Sequence, residues 1–146
     1  MTLKDRYAIV GVGYTPQGRI PDRTALSFYA ESCANAIMDA GLARKDIDGL
    51  MCYRQFPQQP GEEEVTPYLV AQQLGLSPNV LSQEANCARS HLHHALGVLE
   101  AGLCNYVVLS YADNSRLGTN STVYTYSVYH QAFHPSFEKD IPYATA

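Results

Sequence analysis

The sequence predicts an α/β protein in which helices pack on a β-sheet. Short apolar, β-rich runs alternate with segments whose apolar residues recur at helical spacing, in the order β-α-β-α-β-α-β. Each of the three helical segments is followed by a glycine, namely Gly41, Gly75 or Gly102, a common way for a helix to end. The short connections favour a layered fold with a mixed sheet and right-handed crossovers.

The amino-terminal region predicts a strand. Residues Tyr7–Val12 form a continuous apolar run typical of a buried strand. Gly11 and Gly13 resemble the start of a dinucleotide-binding fingerprint, but Pro16 stands where its third glycine belongs. The sequence therefore argues against a nucleotide site here.

Capping residues and glycine stops define the later elements. Asp22 or Thr24 can cap the first helix, and Thr66 followed by Pro67 is a typical start for the second. We expect a helix ending at Ala40, a strand over Leu50–Tyr53, a helix over 66–74, a strand over 79–83, a helix over 86–101 and a strand over 106–111.

Composition and charge limit the classes of function. The chain of 146 residues is 46% hydrophobic and 16% charged, with a net charge of −4. This acidic balance argues against a nucleic-acid partner, which would require a basic face. No apolar run approaches the ~18 residues of a membrane span, and no signal-peptide pattern is present. We therefore expect a cytoplasmic protein with four reduced cysteines, Cys33, Cys52, Cys87 and Cys104.

The last part of the chain differs from the rest. Residues 117–137 contain no Asp, Glu, Lys or Arg, but hold three tyrosines, two phenylalanines and two histidines. Such a segment is suited to cover an apolar partner or a long acyl ligand. We expect one α/β domain over 1–113, and in 114–146 the start of a loop excursion that is cut before it is complete.

The segment "EANCARSHLHHALGVL" (84–99) holds the candidate chemistry. Cys87, His91 and His94 are spaced i, i+4 and i+7, so they share one stripe of a helix. They can be a catalytic Cys87–His91 pair, metal ligands, or packed side chains at an interface. A metal would need further ligands, and no second Cys/His cluster supplies them, so we predict no metal site.

Three stretches resemble the thiolase superfamily, in particular its sterol-carrier-protein-2-type thiolases and thiolase-like aldolases. They are "YAIVGVGYTP", "AESCANAIMDAGLARKDIDGLMC" and "NCARSHLHHALGVLEAGLCNYVVLSYAD". The resemblance extends over about residues 7–113 and implies the amino-terminal half of the thiolase fold. It also implies that the substrate is an acyl-CoA thioester, with coenzyme A as part of the substrate and no tightly bound cofactor.

The resemblance places the family's nucleophilic cysteine at the start of the third helix. Counting back about 17 residues from Gly102, as the family spacing implies, reaches Ala85, and Cys87 follows two residues later, roughly 200° further around a helix. Ala85 would then occupy the nucleophile's position, as in the non-thiolytic branch. Asn86 and Ser90 flank the helix start, where capping leaves N–H donors near a thioester carbonyl. Asp113 follows the strand that ends beside the site.

The resemblance therefore implies retro-aldol cleavage of a carbon–carbon bond in a bulky, steroid-like acyl-CoA, without an acyl-enzyme. The alternatives are a true thiolase or acyltransferase with Cys87 as nucleophile, and a non-catalytic binding or assembly subunit. By resemblance, the expected partners are a second copy in a homodimer and a small OB-fold/zinc-ribbon protein.

Overall fold

The computed structural model describes residues 4–18, 20–54, 64–84 and 88–113. Their elements are helix α1 (Ala25–Asp39), strand β1 (Gly49–Tyr53), helix α2 (Pro67–Leu74), strand β2 (Val80–Glu84), helix α3 (Ala88–Glu100) and strand β3 (Val107–Ser110), with a short 3-10 turn at Arg44–Asp46. The α/β class expected from the sequence is confirmed. None of the described helices is long and apolar enough to cross a bilayer.

The helix ends follow the capping residues of the sequence. Thr24, and not Asp22, caps α1, because its hydroxyl oxygen accepts a hydrogen bond of 3.2 Å from the amide of Ser27. Thr66 caps α2 in the same way, with the amide of Leu69 at 3.3 Å. Gly75 then ends α2 in the left-handed conformation, with φ of 66°.

The strands form a parallel sheet with β1 between β2 and β3. Successive residues of β1 point to opposite faces of this sheet. Leu50 and Cys52 lie in a core with residues of α1 and α2, whereas Met51 lies in a second core with Ala95 and Val98 of α3. The sheet therefore separates α3 from the other two helices.

The strand expected over residues 7–12 is absent among the described strands, and the described sheet is purely parallel instead of mixed. This segment lies against α1. A Cβ atom on Gly11 would stand 2.3 Å from the carbonyl oxygen of Ala36, and one on Gly13 would stand 2.1 Å from that of Ser32. These two glycines therefore allow the backbone to lie directly on the helix, which the apolar run alone does not indicate.

Polar contacts hold the same segment in place at two points. Arg6 and Tyr7 both donate to the carboxylate of Glu100 at the end of α3, at 2.6 and 2.5 Å. The amide of Val12 donates to Asp39 at 2.9 Å. Between these points, 79% of Ile9 is exposed in the chain as described. The segment thus links the ends of α3 and α1 while it presents apolar side chains outward.

Asp48 joins the amino ends of the strands. Its carboxylate accepts hydrogen bonds from the amides of Asn105 and Tyr106 at 2.8–2.9 Å. Its carbonyl accepts from the amides of Asn79 and Val80. Desolvation raises the pKa of Asp48, but the hydrogen bonds from Tyr106 and Asn105 outweigh it and hold the pKa below its ordinary value. This end of the sheet is therefore closed by a residue with a structural role.

Candidate functional site

Titratable side chains meet at the carboxyl end of the sheet, on the face covered by α3. Tyr53 is the last residue of β1 and points to the same face as Met51, two residues earlier. Because β2 ends at Glu84 and α3 begins at Ala88, the start of α3 lies at this same end. The carboxyl ends of parallel strands are the usual place for ligand sites in α/β proteins.

Two tyrosines from neighbouring strands form the first part of the site. Cys52 pairs with Ser110 in the parallel register, so the next residues, Tyr53 and Tyr111, come side by side. Their ring centroids are 5.0 Å apart at an interplanar angle of 87°, a favourable edge-to-face geometry. Tyr53 is half-buried and 58% of Tyr111 is exposed. The pair forms an aromatic wall that is open on the side of Tyr111.

Tyr29 of α1 holds this end of the sheet from the opposite face. Its hydroxyl donates a hydrogen bond of 2.6 Å to the carbonyl of Tyr53. Burial raises the pKa of this hydroxyl far above its ordinary value, against a smaller lowering by a backbone hydrogen bond from Ala112. Tyr29 is therefore protonated at neutral pH. Its hydroxyl contacts both Tyr53, which ends β1, and Ala112, which follows β3.

Two histidines of α3 pack against the sheet. Only 3% of His91 is exposed, and its ring meets Tyr53 edge-on with 5.8 Å between centroids. His94 lies one turn further along, with Nδ1 at 3.3 Å from the hydroxyl oxygen of Ser82 on β2. His93 faces outward and is exposed. His91 is thus the third ring in an array that runs from α3 across Tyr53 to Tyr111.

Asp113 completes the array. The Tyr111 hydroxyl donates a hydrogen bond of 2.5 Å to Oδ2 of Asp113. Tyr111 is therefore held from two sides, by its ring on Tyr53 and by its hydroxyl on Asp113, although most of its surface is exposed.

The residues that the sequence singled out fall into two groups. Ala85, Asn86 and Cys87 lie outside the described residues. Ser90 is half-buried on α3, and the structure brings His91 and Asp113 to the same end of the sheet. Within the described ranges, no three His, Cys, Asp or Glu side chains group as a metal site would require.

The described cysteines are buried thiols. Burial raises the pKa of Cys33 to about 11, and it raises the pKa of Cys52 and Cys104 as well. A thiolate is the reactive form of cysteine, so none of these three is prepared for nucleophilic attack at neutral pH. Any thiol chemistry of this chain would have to come from Cys87.

A second polar cluster lies at the same end of the sheet but on its other face, because Gln83 of β2 pairs with Cys52 and points toward α1 and α2. The Arg54 guanidinium donates to Glu64 at 2.8 Å, and the Gln83 amide donates to the same carboxylate oxygen at 3.0 Å. Arg54 directly follows β1 and Gln83 lies in β2. The Glu64 carboxylate therefore links the carboxyl ends of β1 and β2. Residues 55–63, which separate Arg54 from Glu64 in the sequence, lie outside the described residues.

Sequence reasoning missed Tyr53 and Tyr111. Tyr53 belongs to no motif. Tyr111 lies in the "YAD" that ends the third stretch of the family resemblance, but neither tyrosine was singled out as a site residue. Their signal is positional, because both stand at the carboxyl ends of strands that the topology makes neighbours. Finding it requires the register of β1 against β3, which the sequence does not state.

The chain resembles known proteins both in sequence and in structure. No protein-family model matches the chain. The chain is 28% identical over 120 residues to 17-hydroxy-3-oxo-4-pregnene-20-carboxyl-CoA lyase of Mycobacterium tuberculosis, a match that covers 80% of this chain and 29% of the lyase. Among solved structures it is similar to the Ltp2-ChsH2(DUF35) aldolase, with 25% identity and a TM-score of 0.63 over 88% of this chain and 34% of that one.

A third similar protein broadens the comparison. A monomeric SCP2-thiolase-like protein from Mycobacterium smegmatis has a TM-score of 0.53 and 24% identity, over 70% of this chain and 22% of that chain. This chain has the fold of thiolase-superfamily proteins. The resemblance to the aldolase branch seen in the sequence is confirmed. The chain spans about a third or less of the length of these relatives.

Proposed function

We propose that this chain supplies one part of a thiolase-like aldolase that cleaves a carbon–carbon bond of a bulky β-hydroxyacyl-CoA by a retro-aldol reaction. The observation that carries the proposal is the 28% identity, over 80% of this chain, to a lyase whose name describes a 17-hydroxy carboxyl-CoA substrate. A hydroxyl group and a CoA thioester on the two sides of one carbon–carbon bond are what a retro-aldol cleavage requires. Coenzyme A would enter as part of the substrate.

The described side chains suit this reaction. The wall formed by Tyr53 and Tyr111 offers aromatic surface to an apolar ring system. Retro-aldol cleavage moves protons and needs no acyl-enzyme, in keeping with the buried, protonated thiols of Cys33 and Cys52. In this proposal Ala85 leaves room for the thioester, and Asn86 and Ser90 line the start of α3 beside it.

The partners are part of the proposal. The similar aldolase is named for two components, Ltp2 and ChsH2, which supports association with a second, different subunit. We propose a small OB-fold/zinc-ribbon protein in this role, together with a second copy of the complete protein. Residues 1–113 would act as one domain, with 114–146 beginning a loop excursion toward a partner or the acyl ligand.

A product assay that varies free CoA tests the function. The full-length protein, with its partner, is incubated with a ring-bearing β-hydroxyacyl-CoA, with and without added CoA. We expect a ketone and a shortened acyl-CoA, detected by liquid chromatography and mass spectrometry, at the same rate in both cases, because the retro-aldol reaction consumes no CoA. Cleavage that occurs only with added CoA and only on a 3-oxoacyl-CoA would contradict the proposal.

One observation favours the true thiolase or acyltransferase as second candidate. His91 is almost fully buried at the candidate site and follows Cys87 by four residues, a spacing that suits a thiolate–imidazolium pair on a helix. Iodoacetamide separates the two candidates. Rapid inactivation at neutral pH that the Cys87→Ala variant escapes would favour the thiolase, whereas equal activity with and without the reagent would favour the aldolase.

A non-catalytic assembly subunit is the third candidate. The exposed apolar side chains of Ile9, Val12 and Tyr14 support it, since 65–79% of each is accessible in the described chain. Gel filtration with and without the partner, combined with the product assay above, distinguishes this candidate. A stable complex that forms no product from any β-hydroxyacyl-CoA would favour it.

A further inference from the structure

We infer that Tyr29 is a positioning residue for the proposed reaction, because its buried hydroxyl takes the place of one hydrogen bond of the β1–β3 ladder directly beneath the aromatic wall. This inference rests on the proposed function and gives a role in catalysis to a side chain on the opposite face of the sheet. The observation behind it is that the Tyr29 hydroxyl bonds both to the carbonyl of Tyr53 and to the amide of Ala112.

The register of the two strands identifies the ladder bond that is replaced. The amide of Gly49 donates to the carbonyl of Tyr106, so the backbone polar groups of Gly49 face β3. Because the pattern of a parallel ladder repeats every two residues, those of Tyr53, four residues further along β1, face β3 as well. Continued beyond the last pair of the ladder, this register assigns the amide of Ala112 to the carbonyl of Tyr53.

The Tyr29 hydroxyl lies between these two backbone groups. It donates a hydrogen bond of 2.6 Å to the Tyr53 carbonyl and accepts one from the Ala112 amide. One side-chain oxygen thus satisfies the donor and the acceptor that the ladder pattern would join. Since Tyr111 directly precedes Ala112, the separation of the two backbones that carry the aromatic wall depends here on a side chain of α1.

Tyr29 is itself held firmly in the core. Its exposed fraction is 0%, and it belongs to the same buried cluster as Cys33 and Ile37 of α1 and Leu50 of β1. Burial also raises the pKa of its hydroxyl far above the ordinary value, so the hydroxyl stays protonated and remains a donor at neutral pH. A side chain fixed in this way holds the ends of two strands at one separation.

This separation matters for the substrate of the proposed reaction. The rings of Tyr53 and Tyr111, with centroids 5.0 Å apart, form the wall that we propose for the substrate rings. A fused ring system is rigid, so a displaced wall also displaces the reacting carbons, and a misplacement of about 1 Å can lower a rate by about 100-fold. Without the Tyr29 hydroxyl, the strand ends either bond directly or lose this link, and both results change the separation of the rings.

Removal of one hydroxyl tests the inference in the full-length protein with its partner. Tyr29→Phe keeps the buried ring, and we expect kcat on a ring-bearing β-hydroxyacyl-CoA to fall by about tenfold. Ile37→Val is the matched control, because Ile37 lies two turns further along α1, is 5% exposed and belongs to the same core. It should lower the thermal midpoint by a few degrees but keep the wild-type kcat below that midpoint.

A double variant separates positioning from a general loss of stability. Tyr29→Phe and Tyr53→Leu both act through the wall, so we expect the two together to lower kcat by about tenfold, and not by the ~100-fold that independent effects would give. If Tyr29→Phe keeps kcat within threefold, or if the double variant shows the full product of the two effects, the positioning role alone is refuted. If the wild type forms no ketone from any β-hydroxyacyl-CoA, the proposed function fails and the catalytic role of Tyr29 fails with it.

Hydrogen exchange in the wild-type protein tests the bridge without any variant. Ala112 lies beyond the end of β3, yet its bond to Tyr29 should make its amide exchange at least ~100-fold more slowly than an unstructured amide. Mass spectrometry of overlapping peptides that differ at residue 112 measures this rate. Exchange at the rate of an unstructured amide would refute the bridge, whether or not Tyr29→Phe folds and whatever reaction the protein catalyses.

Discussion

The two ends of the sheet are built from different kinds of contact. At the amino end, Asp48 accepts hydrogen bonds from backbone amides at the starts of β2 and β3. At the carboxyl end, side chains meet side chains, as Tyr53, Tyr111 and His91 pack ring against ring. The first arrangement fixes the backbone, and the second brings aromatic side chains together, from the buried His91 to the largely exposed Tyr111.

We therefore expect the amino end of the sheet to contribute mainly to stability and the carboxyl end mainly to catalysis. Substitutions at the amino end should change the free energy of unfolding without changing catalysis by the folded protein. Substitutions at the carboxyl end should change catalysis more than stability, because Tyr111 is largely exposed and Asp113 is half-buried. The predictions below test that separation.

The largest effect on stability is expected from Asp48→Ala. The substitution removes the acceptor of two backbone amides, and we expect the free energy of unfolding to fall by about 2–4 kcal/mol, measured by urea denaturation. Asp46→Ala is the control, because Asp46 accepts one amide, that of Ala43, in an exposed turn, and should cost less than about 1 kcal/mol. Equal losses in the two variants would refute the role assigned to Asp48.

Asp48 and Cys33, one near each end of the sheet, should also respond to opposite extremes of pH. The pKa of Cys33, which lies beneath the carboxyl end near Ser110, is raised by burial from 9.0 to about 11. A group whose folded pKa is raised stabilises the fold below its unfolded pKa and loses that contribution as pH rises through the folded pKa. We expect stability to fall by about 2–3 kcal/mol between pH 9 and pH 11 from Cys33.

Two variants check the pH dependence. Cys33→Ala should make the alkaline limb of stability against pH less steep without removing it, because burial also raises the pKa of Cys52; stability is measured by urea denaturation at each pH. Asp48→Asn should leave that limb intact and make the acid limb below about pH 4 less steep, because the pKa of Asp48 is lowered in the fold. If the alkaline limb is unchanged in Cys33→Ala, then groups other than Cys33 cause the loss of stability at high pH.

A smaller effect on stability is expected at the aromatic wall. Tyr53→Leu keeps an apolar side chain but loses two edge-to-face contacts, so we expect a loss of about 1–2 kcal/mol. Because the wall that we propose for the substrate rings then loses one of its two aromatic rings, we also expect kcat to fall by roughly tenfold. Tyr106→Leu, at the amino end, should leave kcat unchanged. A Tyr53→Leu enzyme with wild-type kcat would mean that the wall does not position the substrate.

The sequence predicted most of the fold because its signals are local. Thr24, Thr66 and Gly75 lie within a turn of the helix ends that they define, so reading them needs no tertiary structure. The strand expected over residues 7–12 was wrong, because an apolar run records burial or β-propensity and not the partner that a ladder requires. Gly11 and Gly13 indicate the actual arrangement, because only glycine allows the backbone to approach α1 so closely.

The candidate site was less predictable for the same reason. The spacing of His91 and His94 placed both on one face of α3, since helical spacing is a property of one segment. The contact of Tyr53 with Tyr111 joins residues 58 positions apart by number. It depends on β1 lying next to β3, a pairing that follows from tertiary structure and not from either strand alone.

The most direct test of the central claim is intact-protein and peptide mass spectrometry of the full-length protein mixed with its acyl-CoA substrate and quenched during turnover. We predict ketone and shortened acyl-CoA in solution and no acyl group on Cys87, with alkylation of the unfolded protein by iodoacetamide as proof that the Cys87 peptide is detected. A mass increase equal to the acyl group on Cys87, absent from Cys87→Ala, would contradict the account and assign a covalent thiolase mechanism instead.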